Sequence, residues 1–130
     1  MLSKVQAAAL RGVEASPVEV EVHVGPGESS AVVRERVIAA RDIQQRRWHG
    51  APACNARMKP RDLQLHCTLD EPARQLLRSA MEELDLSARA YDRILKVART
   101  IADLAHSEKL TAAHVSEAIQ YRSLDRQIWT

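Results

Sequence analysis

Arg89, Arg93 and Lys96 recur four and three residues apart along one edge of LSARAYDRILKVARTIADL, residues 86–104, among apolar residues that need burial. Cations so spaced share one side of a helix. Arg89 falls in the opening turn, where unpaired backbone amides already favour an anion. The chemistry on offer is recognition of phosphate or carboxylate by forked guanidinium groups. The competing reading is a solvated rim, in which Arg89 pairs with Asp92 at i+3 and Arg99 with Asp103 at i+4. Such exposed pairs contribute only about 0.3–0.5 kcal/mol each.

A second group of cations lies between Arg41 and Arg61: Arg46, Arg47, Arg57, Lys59 and Arg61, with Trp48 and His49 interleaved and the single acid Asp42. Clustered cations suit a phosphate backbone, and an exposed indole can stack on a base. This segment would make the chain a small DNA-binding or assembly module, detectable as salt-dependent DNA binding. Against that stands a helix end, where cations complement the dipole and Trp48 closes the core.

Other chemistries lack their residues. Only four glycines are present, and none stands in the GxxxxGK[ST] arrangement that cradles phosphates. There is no GxSxG elbow. Cys54, Cys67, His49 and His66 contain no CxxC or HxxxH spacing, so two unpaired thiols are expected rather than a metal site. The start MLSKVQAAALRGVE has no apolar signal-peptide run, and no segment is long enough to span a bilayer, which points to a reduced, cytoplasmic protein. A net charge of +2 from 19 basic and 17 acidic residues is too mild to identify a polyanion binder, so the placement of charge must decide.

The elements that position these groups are mainly helical. A chain of 130 residues with no Phe, two Trp and two Tyr favours aliphatic helix packing in one domain. Val18, Val20, Val22 and Val24 alternate with Glu19, Glu21 and His23 as in a strand, and LSKVQAAALRG could turn back against it as a hairpin or arm. Pro26 and Gly27 end that strand. Ser29 or Ser30 then opens a helix through residue 48 with an inward stripe of Val33, Val37, Ala40 and Ile43 or Gln44, stopped by Gly50 and Pro52. A short helix is expected at PRDLQLHC. The next is capped by Thr68 with Glu71 or by Asp70, and buries Ala73, Leu76, Leu77, Ala80 and Leu84. Ser87 caps the main helix, with stripe Tyr91, Ile94, Leu95, Ala98, Ile101, Ala102 and Ala105. A last helix, capped by Thr111, buries Val115, Ala118 and Ile119, and SLDRQIWT is read as a frayed end.

From GESSAVVRERVIAAR, and through NARMKPRDLQLHCTLDEPARQLLRSAMEELDLSARAYDRILKVARTIADLAHSEKLTAAHVSEAIQYRSLDRQ, the chain resembles the C-terminal helical part of magnesium-chelatase-like AAA+ ATPases, the YifB/ComM competence-protein group. The opening MLSKVQAAALRGVEASPVEVEV resembles the start of the same proteins. The resemblance implies an AAA+ lid-like bundle of about five helices over residues 27–130, preceded by a β-arm remnant at 1–26, with the ATPase core between them missing. It implies that the helical part closes over nucleotide and contacts neighbouring AAA+ subunits of a full-length relative. Matching SAR at the helix opening, it gives Arg89 the sensor-2 role toward the γ-phosphate, with Arg93 assisting one turn on. ATP and Mg²⁺ belong to the intact family; the chain alone is expected to hold no cofactor and to turn over no ATP.

Overall fold

The computed structural model describes the backbone of residues 2–11, 14–23, 27–49 and 54–128, and the side chains of residues 27–49 and 54–123. It divides into two compact units, Met1–Val33 and Arg34–Thr130. In the first unit, the backbone of β1 (Leu2–Arg11) and β2 (Glu14–His23) forms an antiparallel ladder, with Val5 opposite Val20 and Ala7 opposite Val18. The side chains of these strands, Val24 and Pro26 lie outside the described residues.

The described side chains belong to a mainly helical fold: α1 (Ser30–Arg47), a 3₁₀ turn (Asn55–Arg57), α2 (Pro60–His66), α3 (Glu71–Glu83), α4 (Ala88–Leu104) and α5 (Ala112–Ile128). Polar residues set the helix starts. Asp70 accepts the Ala73 amide at 2.9 Å and Ser87 accepts the Ala90 amide at 3.2 Å, each satisfying a donor that the first turn leaves free. Ser29 does the same for Val32 at 3.4 Å. At α5, His114 Nδ1 instead takes the Thr111 amide at 3.1 Å. An acceptor at the third helical position reaches back over the start, as Glu does in a capping box.

Two helices end in the same way. Leu86 N–H reaches Met81 O and Asp85 N–H reaches Glu82 O after α3; Ser107 N–H reaches Ala102 O and His106 N–H reaches Asp103 O after α4. These paired bonds need a left-handed residue, supplied by Asp85 at φ 47° and His106 at φ 54°. Neither is glycine, so both turns carry a Cβ penalty.

The core sits around α4, which packs against α5, α2 and the 3₁₀ turn, while α3 packs on α5. Ala73, Leu77, Ile94, Ala98, Ala102, Leu110 and Val115 are almost fully buried. Leu110 is anchored by a bridge beside Leu69, with Asp70 N–H to Leu110 O and Leu110 N–H to Thr68 O, which ties the starts of α3 and α5 together. The expected stripes hold at their centres and fail at their ends, where Tyr91, Leu84 and Ala105 are exposed. On α1 only Ala40 and Gln44 are buried, whereas Val33 and Val37 are 45% and 46% exposed. SLDRQ continues α5 rather than fraying from it, since no Gly or Pro interrupts the helix before Ile128. Gly50 and Pro52, expected to stop α1, lie outside the described residues.

Candidate anion-binding groove

Arg89 and Arg93 project from the first two turns of α4, exposed, and line one open groove of about 780 Å³. Buried Ala90, Ile94 and Ala98 hold the opposite side of the helix in the core, so the arginines have no inward alternative. Lys96 lies on the same wall, its Nζ donating to Ala56 O of the 3₁₀ turn at 3.2 Å. The other wall is α5, through Ala118, Tyr121 and Arg122. Four cations thus share the groove with one carboxylate, Asp92. Neither Arg89 nor Arg93 forms an ion pair with Asp92 or with any other described residue. The i+3 pairing of Arg89 with Asp92 does not form, and both arginines are exposed to solvent.

Arg122 is half-buried, and its Nε is buried without a hydrogen-bond partner. Tyr121 is 52% exposed, and its hydroxyl donates to Glu117 Oε1 at 3.0 Å. That bond, with the charge of Glu117, holds the phenol above its usual pKa. Neither Tyr121 nor Arg122 stands out in the sequence; the available signal is their position three and four residues beyond Ala118, whose face packs on the core.

The cations of the 41–61 segment separate. Arg46 lies on a shallow surface with Asp42 and Gln45 of α1 and His49 just beyond its end. Arg57, Lys59 and Arg61 are exposed on the 3₁₀ turn and the start of α2, where the Asp62 carboxylate accepts the Lys59 amide at 2.8 Å. Arg47 turns inward: its Nη2 meets Asp103 Oδ1 at 2.6 Å, and its Nη1 reaches Asp103 Oδ2 at 3.0 Å and Asn55 Oδ1 at 2.9 Å. Its side chain is only 12% exposed. Trp48 packs on the core with its ring edge-on to His66 at 5.5 Å, so it is no free stacking platform. The segment expected to meet DNA therefore gives Arg47 and Trp48 to the fold.

Arg47 belongs to a buried polar node at the centre of the domain. Asp103, 1% exposed, also accepts Arg99 Nε at 3.1 Å and Asn55 Nδ2 at 2.8 Å. Arg99 Nη1 donates to His66 O and Glu108 O, and Nη2 to Ser107 O. Asn55 Nδ2 also reaches Thr100 Oγ1, and the Asn55 amide donates to Gln44 Oε1 at 3.3 Å. The Arg99–Asp103 pair, expected as a weak surface contact, is instead a fastening between α1, the 3₁₀ turn, α2, α4 and the α4–α5 turn. Burial lowers the Arg99 pKa, against the opposing pull of Asp103.

The thiols and histidines have separate surroundings. Cys67 is buried against Met58 and Leu95 O, and desolvation pushes its thiol up to about 11. Burial, then the charge of Arg47, lowers the His66 imidazole pKa. Among the described residues no three His, Cys, Asp or Glu side chains cluster as a metal site. No described helix is long and apolar enough to cross a membrane.

Comparison with known proteins agrees with this architecture. Residues 27–122 match the family model described as magnesium chelatase, subunit ChlI C-terminal. The chain is 43% identical over 104 residues to the uncharacterized protein YifB of Salmonella typhimurium, covering 80% of this chain and 20% of that protein. It is 42% identical over 100 residues to the competence protein ComM of Haemophilus influenzae, covering 77% and 19%. An uncharacterized Mycobacterium bovis protein, Mb2921c, is 36% identical over 98 residues, covering 74% and 19%. The chain thus spans about a fifth of the length of the curated relatives it matches. It belongs to the magnesium-chelatase-like family of YifB and ComM, as the C-terminal helical domain of such proteins.

Proposed function

We propose that residues 27–130 form a non-catalytic, nucleotide-sensing lid domain, with residues 1–26 a separate β-arm. Arg89 is the sensing residue, acting on the terminal phosphate, and Arg93 assists. The observation that carries this reading is that neither arginine has an ion-pair partner among the described residues, in a groove where Lys96 and Arg122 add charge and Asp92 is the one lining carboxylate. A guanidinium without an internal partner is free to make short bidentate bonds to phosphate oxygens. Ser87 already satisfies the Ala90 amide, which leaves the earlier first-turn amides to reinforce an anion beside Arg89.

In a complete AAA+ subunit, with ATP and Mg²⁺ held by the core, closure would bring Arg89 to charge that changes on hydrolysis. The lid could then respond to the nucleotide state and adjust contacts with a neighbouring subunit in the cytoplasm. The chain alone would bind nucleotide weakly and hydrolyse none. Two or three charge-assisted bonds of about 1.5–3 kcal/mol, set against an association cost of about 4 kcal/mol or more, leave a Kd of about a millimolar at best.

The test is an ATP titration of the full chain at low salt, followed by amide NMR. Shifts centred on residues 89–93, lost in Arg89→Ala, are expected. Shifts confined to residues 46–61 and equally produced by DNA would refute the sensing role.

A further inference from the structure

We propose that His66 is the catch of an acid-sensitive clasp at the end of α1: with the ring neutral, Arg47 and Trp48 hold α1 against α2 and α4, and protonation of the ring releases that end of the helix. The clasp would operate whether or not Arg89 senses nucleotide.

The attachment of α1 is confined to its last turns. Val37 and Ile38 are 46% and 52% exposed, and only Ala40 and Gln44 of the helix are buried. Gln44 Oε1 accepts the Asn55 amide, Arg47 spans Asp103 and Asn55, and Trp48 packs on the core beside His66. The same end carries two unfavourable features. Trp48 Nε1 is buried without a hydrogen-bond partner, and His49 follows at φ 53°. A joint with few anchors and such costs opens locally before the packed helices do.

His66 stands where an added proton meets opposition from two sides. Arg47 of α1 and Arg99 of α4 face its ring, and both already share the single carboxylate of Asp103. His49, just beyond α1, also faces it and adds repulsion when charged. Asp62, one turn back on α2, is the facing carboxylate that favours the charged ring, and its Oδ2 is engaged by the Lys59 amide. Among the described residues the ring nitrogens have no acceptor for a new proton. Burial, then Arg47, outweighs Asp62, so the folded arrangement favours the neutral ring.

The geometry passes that repulsion to α1. The His66 ring lies 5.5 Å from the Trp48 ring, with the two planes at 66°. Arg99 Nη1 binds His66 O at 3.3 Å and holds the α2 backbone in place, which leaves the end of α1 as the freer wall. The closed clasp is therefore fully populated above 6.5 and is lost as pH falls through the lowered folded value.

The experiment uses the full chain carrying Trp129→Phe, which leaves Trp48 as its one indole. From pH 7.5 to 5 it follows the His66 ring resonances, the Trp48 indole N–H and the tryptophan emission, with amide-exchange protection read at 44–48 and, for reference, at 94–98. Emission should move to the red as the indole meets water, and the indole N–H should titrate with the midpoint of the His66 ring. Protection at 44–48 should fall on the order of tenfold relative to 94–98. His66→Gln should hold emission and protection at their pH 7.5 values throughout, while His49→Gln should leave the transition in place. The coincidence of midpoints is read on unaltered His66 and decides the matter even where His66→Gln does not fold. The clasp is overturned by a transition that persists in His66→Gln, or by a Trp48 midpoint that departs from that of His66. Equal loss of protection at 94–98 would overturn it too, as global unfolding. So would a blue shift with rising protection in acid, which would mean that the Trp48 ring grips the charged imidazole.

Discussion

Replacing Asp103 with Asn keeps the side-chain shape and removes the one charge that faces two buried guanidinium groups. Arg99 is 3% and Asp103 1% exposed, and Arg47 is 12% exposed at its side chain, so water cannot screen the loss. Removing one member of a buried ion pair costs about 3–5 kcal/mol, because the partner remains desolvated. Against a typical domain stability of about 5–15 kcal/mol this is a large fraction, and it corresponds to a fall in Tm of about 10–20 °C. Urea and thermal unfolding at pH 7.5, followed by circular dichroism at 222 nm, measure it. The comparison is Arg74→Ala, which removes an ion pair to Glu71 whose side chains are 57% and 65% exposed at 3.5 Å. That change should cost no more than about 1 kcal/mol. A buried ion triad can often be exchanged for apolar residues without loss. Here the exchange of Arg47, Arg99 and Asp103 for Met, Met and Leu should not restore stability, since it would strand the His66, Ser107 and Glu108 carbonyls that Arg99 satisfies. An Asp103→Asn protein within about 1 kcal/mol of the parent would refute the claim that this node fastens the domain.

His106→Gly should raise stability by about 0.5–1 kcal/mol in the same unfolding assay, because φ 54° after α4 costs a Cβ-bearing residue what glycine does not pay. Cys67 should resist iodoacetamide in the native protein and react only on unfolding, as read by mass spectrometry, since burial raises its thiol to about 11. The stability this protonated thiol contributes is complete below its unfolded value of 9.0 and is lost as pH climbs through the folded value. For His66 the sign is opposite: burial and Arg47 favour the neutral ring, so its contribution is complete above 6.5 and is lost as pH falls through the lowered folded value. Urea midpoints measured from pH 7.5 down to 5 should therefore fall less steeply in His66→Gln.

What the sequence determined was local chemistry. Asp70 and Ser87 cap because a short oxygen-bearing side chain before an apolar period can reach a first-turn amide whatever surrounds it. The centres of the α3, α4 and α5 stripes follow from spacing alone, and the family follows from the same stretch of residues. Arg89 and Arg93 were placed on one edge of α4 by period, and that edge is where they lie.

Tertiary packing decided everything that depended on which helix covers which face. Arg46 and Arg47 are neighbours of one type at one helix end, yet one lies on the surface and the other meets Asp103 across the domain. Their difference is a rotation of about 100° around α1, meaningful only once α4 has been set against it. Arg99 and Asp103 read as a surface pair because spacing i, i+4 fixes that two residues adjoin, not that α2, the 3₁₀ turn and the α4–α5 turn close over them. Tyr121 and Arg122 reach the groove of Arg89 only because α5 packs beside α4. A helix period fixes direction around one axis, while burial and convergence depend on several axes at once, and no single stretch of chain encodes those.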